Sequence, residues 1–168
     1  MSLINWRLLA LHLLAAFFLT LAIDQFMLLP AADMLEVALR VGPKAVLLPA
    51  HWQDEWGPLI TYLWYANHFP PLLAWLLASL LSWLVVARLG ERRAIPALVL
   101  VLHLLITRLG LYDSDAVTAL NKLPQHLAAP FSLATKFWVA GLLFTAVALL
   151  LLAAPLLFPK RQSAAPAA

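Results

Sequence analysis

Cysteine is absent from the 168 residues, which removes disulfides, thiolate metal sites, iron–sulfur ligation and cysteine nucleophiles together. Charge is nearly as scarce, since only 11% of residues are Asp, Glu, Lys or Arg against 64% hydrophobic. The five glycines form no phosphate-binding loop, and no H-E-x-x-H pair or serine-nucleophile motif is present. A net charge of +3 is modest, and the basic residues sit at the borders of apolar runs. Nucleic acid is therefore not expected as a partner.

What is present is apolar length. A chain of this size and composition cannot keep its apolar surface in water as one small domain, so an integral membrane protein is expected. A hydrocarbon layer about 30 Å thick needs roughly 20 residues of helix. Four stretches meet or approach that length, at about residues 5–29, 71–87, 94–111 and 137–158. The expected fold is all-α and polytopic, a single bundle of four transmembrane helices over residues 1–159. The first stretch resembles a signal peptide in having Arg7 ahead of an apolar core, but its length and the lack of a small-x-small site before Pro30 favour a retained helix.

Lys and Arg in short loops mark the cytoplasmic side. Arg7 precedes helix 1, Arg88, Arg92 and Arg93 lie between helices 2 and 3, and Lys160 and Arg161 follow helix 4. Four crossings put all three borders on one face, so both termini are expected in the cytoplasm of a bacterial inner membrane. Residues 160–168 read as a short disordered tail. The opposite face holds two connections, about 30–70 and 112–136, which carry Asp33, Glu36, Asp54, Glu55, Asp113 and Asp115.

The first outer connection has structure of its own. ADMLEVALRV (32–41) places apolar residues at helical spacing, acids early and Arg40 late, in keeping with the helix dipole. The segment from His51 to Pro71 then carries Trp52, Trp56, Trp64 and Tyr65 with His51 and His68, the amphipathic rings that gather at a membrane surface. It is expected to lie along the outer interface, with a short helix over 59–67 before Pro70-Pro71 starts helix 2. It reads as an aromatic belt, or as a platform for a lipid headgroup or a partner's helix. His51, Asp54 and Glu55, with His68 further on, are only a weak signal for a metal at the outer surface, and no metal is expected. In the second connection Ser114 or Asp115 caps a short helix that Pro124 should stop near Lys122.

Within the apolar runs a few polar residues stand out. His12, Ala16, Thr20 and Asp24 recur every four residues, a stripe on one side of helix 1. Ala74, Ala78 and Ser82 repeat the spacing in helix 2, and Gly141 and Thr145 continue it in helix 4, so these small residues are expected at the bundle interior. A charge inside the membrane usually pairs, faces water or works. At about 1.5 Å per residue, Asp24 stands about 25 Å above Arg7 and Arg108 about 22 Å above Arg93, which makes Asp24–Arg108 the expected intramembrane ion pair. His12 and His103 are the residue type that ligates haem b. Their heights of about 8 and 15 Å differ by about 7 Å, so each is expected to bond a neighbouring helix as part of a polar interior with Thr20, and no cofactor is expected.

Size, four crossings, both ends inside and an aspartate at the outer end of helix 1 are similar to signal peptidase II, the intramembrane aspartic peptidase of bacterial lipoprotein maturation. The resemblance implies a catalytic role for Asp24, and FSLAT (131–135) lies where that family carries F-N-x-A-D. Ser132 then stands at the family's Asn and Thr135 at its second catalytic Asp. The lysine soon after the first aspartate is missing, and no N-x-x-D-R precedes Asp113. Aspartic peptidases need two carboxylates sharing a proton, which Thr135 cannot supply. A divergent hydrolase of a lipid-linked substrate would have to join Asp24 to Asp113 or Asp115.

With no catalytic constellation and little cytoplasmic surface, the leading expectation is a non-enzymatic inner-membrane protein, a small subunit or assembly partner of a larger membrane complex. Its partners would be membrane lipid and another membrane protein. The hydrolase, and a small transporter or channel with a polar path through Asp24, His103 and Arg108, are the alternatives.

Overall fold

The computed structural model describes residues 4–41, 50–90, 94–128 and 130–158, with the backbone alone at 34, 38, 41 and 50–67. Arg92, Arg93, Lys160, Arg161 and the 160–168 tail lie outside the described residues, as do the side chains of His51, Trp52, Trp56, Trp64 and Tyr65. The architecture is all-helical, with no strand among the described residues. Helix α1 spans Trp6–Leu28, α2 Ala32–Val41, α3 Ala50–Leu89, α4 Ala94–Arg108, α5 Asp115–Leu127 and α6 Leu133–Leu157, with single 3-10 turns at Leu29–Ala31 and Leu111–Asp113.

Among the described residues three segments are long and apolar enough to cross a membrane: Trp6–Ala31, His68–Leu89 and Leu133–Leu157. Their outward faces carry large apolar side chains, among them Leu76, Leu80 and Leu84 on α3 and Leu142, Leu149 and Leu150 on α6. Soluble monomers rarely expose contiguous apolar surface on this scale.

The sequence signals and the helix ends agree at most points. Asn5 Oδ1 accepts the Leu8 N–H at 3.2 Å and starts α1. The amphipathic 32–41 segment is α2, where Arg40 and Glu36 form an i,i+4 pair at 2.6 Å. Ser114 caps α5 through the Val117 N–H.

Proline behaves differently from expectation. Helix α3 runs 40 residues without a break at Pro70-Pro71, so the expected short helix over 59–67 and the span that follows are one element. Pro70 is fully buried, and that packing offsets part of the two amide bonds the prolines cannot make. Pro124, also fully buried, likewise fails to end α5, which continues to Leu127.

Helix α4 is shorter than the expected 94–111 run. It stops at Arg108 after 15 residues, about 22 Å of rise. The stop is made by Gly110 in the left-handed conformation (φ +66), whose N–H bonds the Thr107 carbonyl at 3.1 Å.

Helix α1 is the centre of the bundle, touching α3, α4 and α6. On its lower half Leu8, Leu9, Ala16 and Leu19 pack with Ala74, Ala78 and Val86 of α3 and Ile95 and Val99 of α4. On its upper half Leu21 and Ala22 meet Ala140 and Phe144 of α6. Small side chains at the crossings let the backbones approach closely, which drives helix association in an apolar medium. Gly141 is the tightest case, because a Cβ there would lie 2.6 Å from the Phe26 ring, which packs edge-on against Trp138.

Gly141→Ala should therefore dislodge Phe26 and lower the thermal midpoint of the detergent-solubilised protein, at a cost of about 1–3 kcal/mol. Adding Phe26→Leu to that variant should recover part of the loss.

Candidate functional site

At the end of the bundle where α1 finishes, α1, the start of the α3 span, the Leu111–Asp113 turn and α5 surround a cavity of about 500 Å³. Asp24, His68, Asp113, Asn121, Lys122 and Gln125 are among its walls. Helix α5 has three sectors about its axis, at about 100° per residue. Val117, Asn121, Pro124 and Gln125 form the inward one, where Asn121 and Gln125 meet α1 through hydrogen bonds and Pro124 is buried. Thr118 and Lys122 lie beside it, exposed and on the cavity. The third sector is an exposed apolar arc of Ala116, Ala119, Leu123 and Leu127.

The inward sector holds Asp24. Asn121 Nδ2 donates to Asp24 Oδ2 at 3.2 Å, while Asn121 Oδ1 accepts from Gln25 Nε2 at 2.6 Å. Gln125 Nε2 in turn donates to Gln25 Oε1 at 3.2 Å. Gln25 is completely buried, and these two bonds serve both ends of its amide.

Arg108 is not the partner of Asp24. It is exposed, and the ion pair present among the described residues is Arg40–Glu36. The expectation matched heights but not directions: His103 faces α1, and Arg108 lies about 140° further round α4. A neutral amide on a helix beyond the span takes the place of the cation.

Below Asp24, Thr20 organises a second cluster. Its hydroxyl donates to the Ala16 carbonyl at 3.0 Å, so it can only accept from His103 Nε2 at 3.2 Å and from Tyr112 at 3.2 Å. Proton counting therefore assigns the Nε2–H tautomer to His103. Its Nδ1 is then an acceptor, 3.3 Å from the Tyr112 hydroxyl. Burial pushes the Tyr112 hydroxyl up to about 12, and its single proton is shared between Thr20 Oγ1 and His103 Nδ1. Phe17 stacks on the Tyr112 ring at 5.4 Å.

His12 lies apart from this group. Its Nδ1 is 2.7 Å from Ser82 Oγ on α3, and its Nε2 is buried without a partner among the described residues. The two histidines thus face different helices and share no site.

The remaining candidates separate as follows. Asp113 lines the cavity with Asp24; Asp115 is exposed and does not. Ser132 and Thr135, the positions of the peptidase-like motif, cap α6: Ser132 Oγ accepts the Thr135 N–H at 3.3 Å and lies 3.0 Å from its hydroxyl. FSLAT is thus a helix start. Asn121, Gln25, Gln125 and Tyr112 were not anticipated. Asn121 and Gln125 stand one helical turn apart on α5, the spacing that would have flagged them.

No known protein family, curated protein or solved structure matches the chain.

Asn121→Ala should leave Asp24 and the buried Gln25 short of a partner, lowering stability by about 1–3 kcal/mol. Arg108→Gln should change it by less than about 0.5 kcal/mol. Thermal melts of the two variants in one detergent decide between the amide and the arginine as the group that holds Asp24.

Proposed function

We propose that this chain is a four-crossing protein of a bacterial inner membrane, with both termini cytoplasmic, acting without catalysis as a small subunit or assembly partner of a larger membrane complex. The observation behind the non-catalytic part is the setting of Asp24. Its carboxylate is bonded to an amide that ties α1 to α5, not to a second carboxylate or a histidine that could share its proton. The amides around Asp24, on Asn121, Gln25 and Gln125, are spent on holding helices together.

Three apolar spans and their exposed leucine faces support the membrane setting. Helix α4 counts as the fourth crossing, short by a few residues and accommodated by local thinning of the bilayer. The apolar arc of α5 then lies against lipid, with its polar sector toward water.

One observation favours a second reading, an intramembrane hydrolase: Asp24 and Asp113 line the same cavity. The two readings part on Asp113, which has no structural hydrogen bond through its side chain among the described residues. A hydrolase would lose its cellular phenotype with Asp113→Asn and stay folded.

Because the chain has no native cysteine, single cysteines report topology directly. Cysteines at Ser2 and Ser163 should be shielded from an impermeant maleimide in intact cells, and one at Asp115, exposed on the polar sector of α5, should react. Labelling of either terminus from outside overturns the orientation. Extraction in polymer nanodiscs should then recover a stoichiometric protein partner, and its absence would remove the subunit role.

A further inference from the structure

The cavity beside Asp24 has a charge pattern that its structural role leaves unused. Asp24 Oδ2 is taken by Asn121, while Oδ1 has no hydrogen-bond partner among the described residues. Asp113 and Lys122 reach the same cavity, and no ion pair joins any two of the three at the distance seen for Arg40–Glu36. Lys122 follows Asn121 directly, so the ammonium is rooted one residue from the amide that touches Asp24. Two carboxylates and one lysine therefore share one polar space without neutralising each other.

Such a void complements a ligand carrying a cation and an anion a few bonds apart. A volume of about 500 Å³ falls in the usual range for small-molecule sites, and Thr118 and Gln125 on the wall add hydrogen-bonding groups. The cavity lies where α5 turns its apolar arc outward, next to the outer ends of the spans. A molecule with a polar head and apolar chains would meet both surfaces at once.

We propose that this cavity binds a phosphoethanolamine headgroup, with the ammonium on Asp24 and Asp113 and the phosphate on Lys122. The proposal rests on the membrane reading above but not on the subunit role. Its chemistry excludes a plain anion, which the two carboxylates would repel, and a quaternary ammonium, which cannot donate hydrogen bonds to Asp24 Oδ1.

The test is native mass spectrometry of the full chain in detergent, titrated in turn with phosphatidylethanolamine, phosphatidylglycerol and phosphatidylcholine, and with free phosphoethanolamine. Flotation with liposomes of the same lipids is run first, so that failure to enter a bilayer, which sinks the membrane reading, is seen apart from failure to select a headgroup. Phosphatidylethanolamine should bind about tenfold tighter than the other two lipids. Lys122→Gln should weaken all three lipids about fivefold and leave the preference in place, because each carries the phosphate, and Asp113→Asn, which disturbs no structural hydrogen bond, should reduce the preference about fivefold, equivalent to about 1 kcal/mol. Binding of free phosphoethanolamine as tight as that of the lipid supports the headgroup chemistry with a soluble source; weaker binding assigns it to lipid. Equal affinity for all three lipids, or Lys122→Gln and Asp113→Asn both behaving as the parent, overturns the proposal.

Discussion

Every polar side chain on the inner face of α1 has to find its partner on another helix, and the arrangement of the bundle follows from that requirement. In an apolar interior an unpaired donor or acceptor is costly, and water is not there to supply the missing bond. His12 is therefore matched by Ser82 of α3, Thr20 by His103 of α4 and by Tyr112, and Asp24 and Gln25 by α5. Read upward, the stripe assigns one neighbour to each level of α1. Apolar packing alone would hold these helices together without fixing which residue sits opposite which.

The exception is informative. His12 Nε2 is buried with no partner among the described residues, and the positions one helical turn from His12 and from Ser82 include the buried apolar Leu8, Ala78 and Val86. An imidazole whose Nδ1–H bonds Ser82 leaves only a lone pair unmatched, a smaller loss than a buried N–H. The level above is the reverse, with Thr20 in contact with three groups. Polar content is thus concentrated toward the α5 end of the bundle, and the cavity lies where it is densest.

The three long apolar helices were legible in the sequence because they are set by length and hydropathy, and α2 because its charges follow the helix dipole. Two prolines misled, since a buried ring can sit within a helix that packing holds in place, as Pro70 and Pro124 do. At the site, height along a helix was readable and direction was not. Asp24 and Arg108 stand at similar levels, yet turning α4 so that His103 faces α1 carries Arg108 out of reach. Asn121 stayed hidden for another reason. A neutral amide in a connection carries no charge signal, and only the helical turn separating it from Gln125 marks a face.

Helix α5 presents three different surfaces around one circumference: amides bonded to Asp24 and Gln25 of α1, an exposed polar sector and an exposed apolar arc. A roll of a third of a turn would exchange each for the wrong one, so its rotation is fixed without any single strong bond. The same three-way match fixes its elevation, because an apolar arc beside a polar sector is at rest only where oil and water meet. In the membrane setting α5 therefore works as a float at the waterline, tied to α1 through Asn121, and it carries the level of the bilayer surface into the register of Asp24.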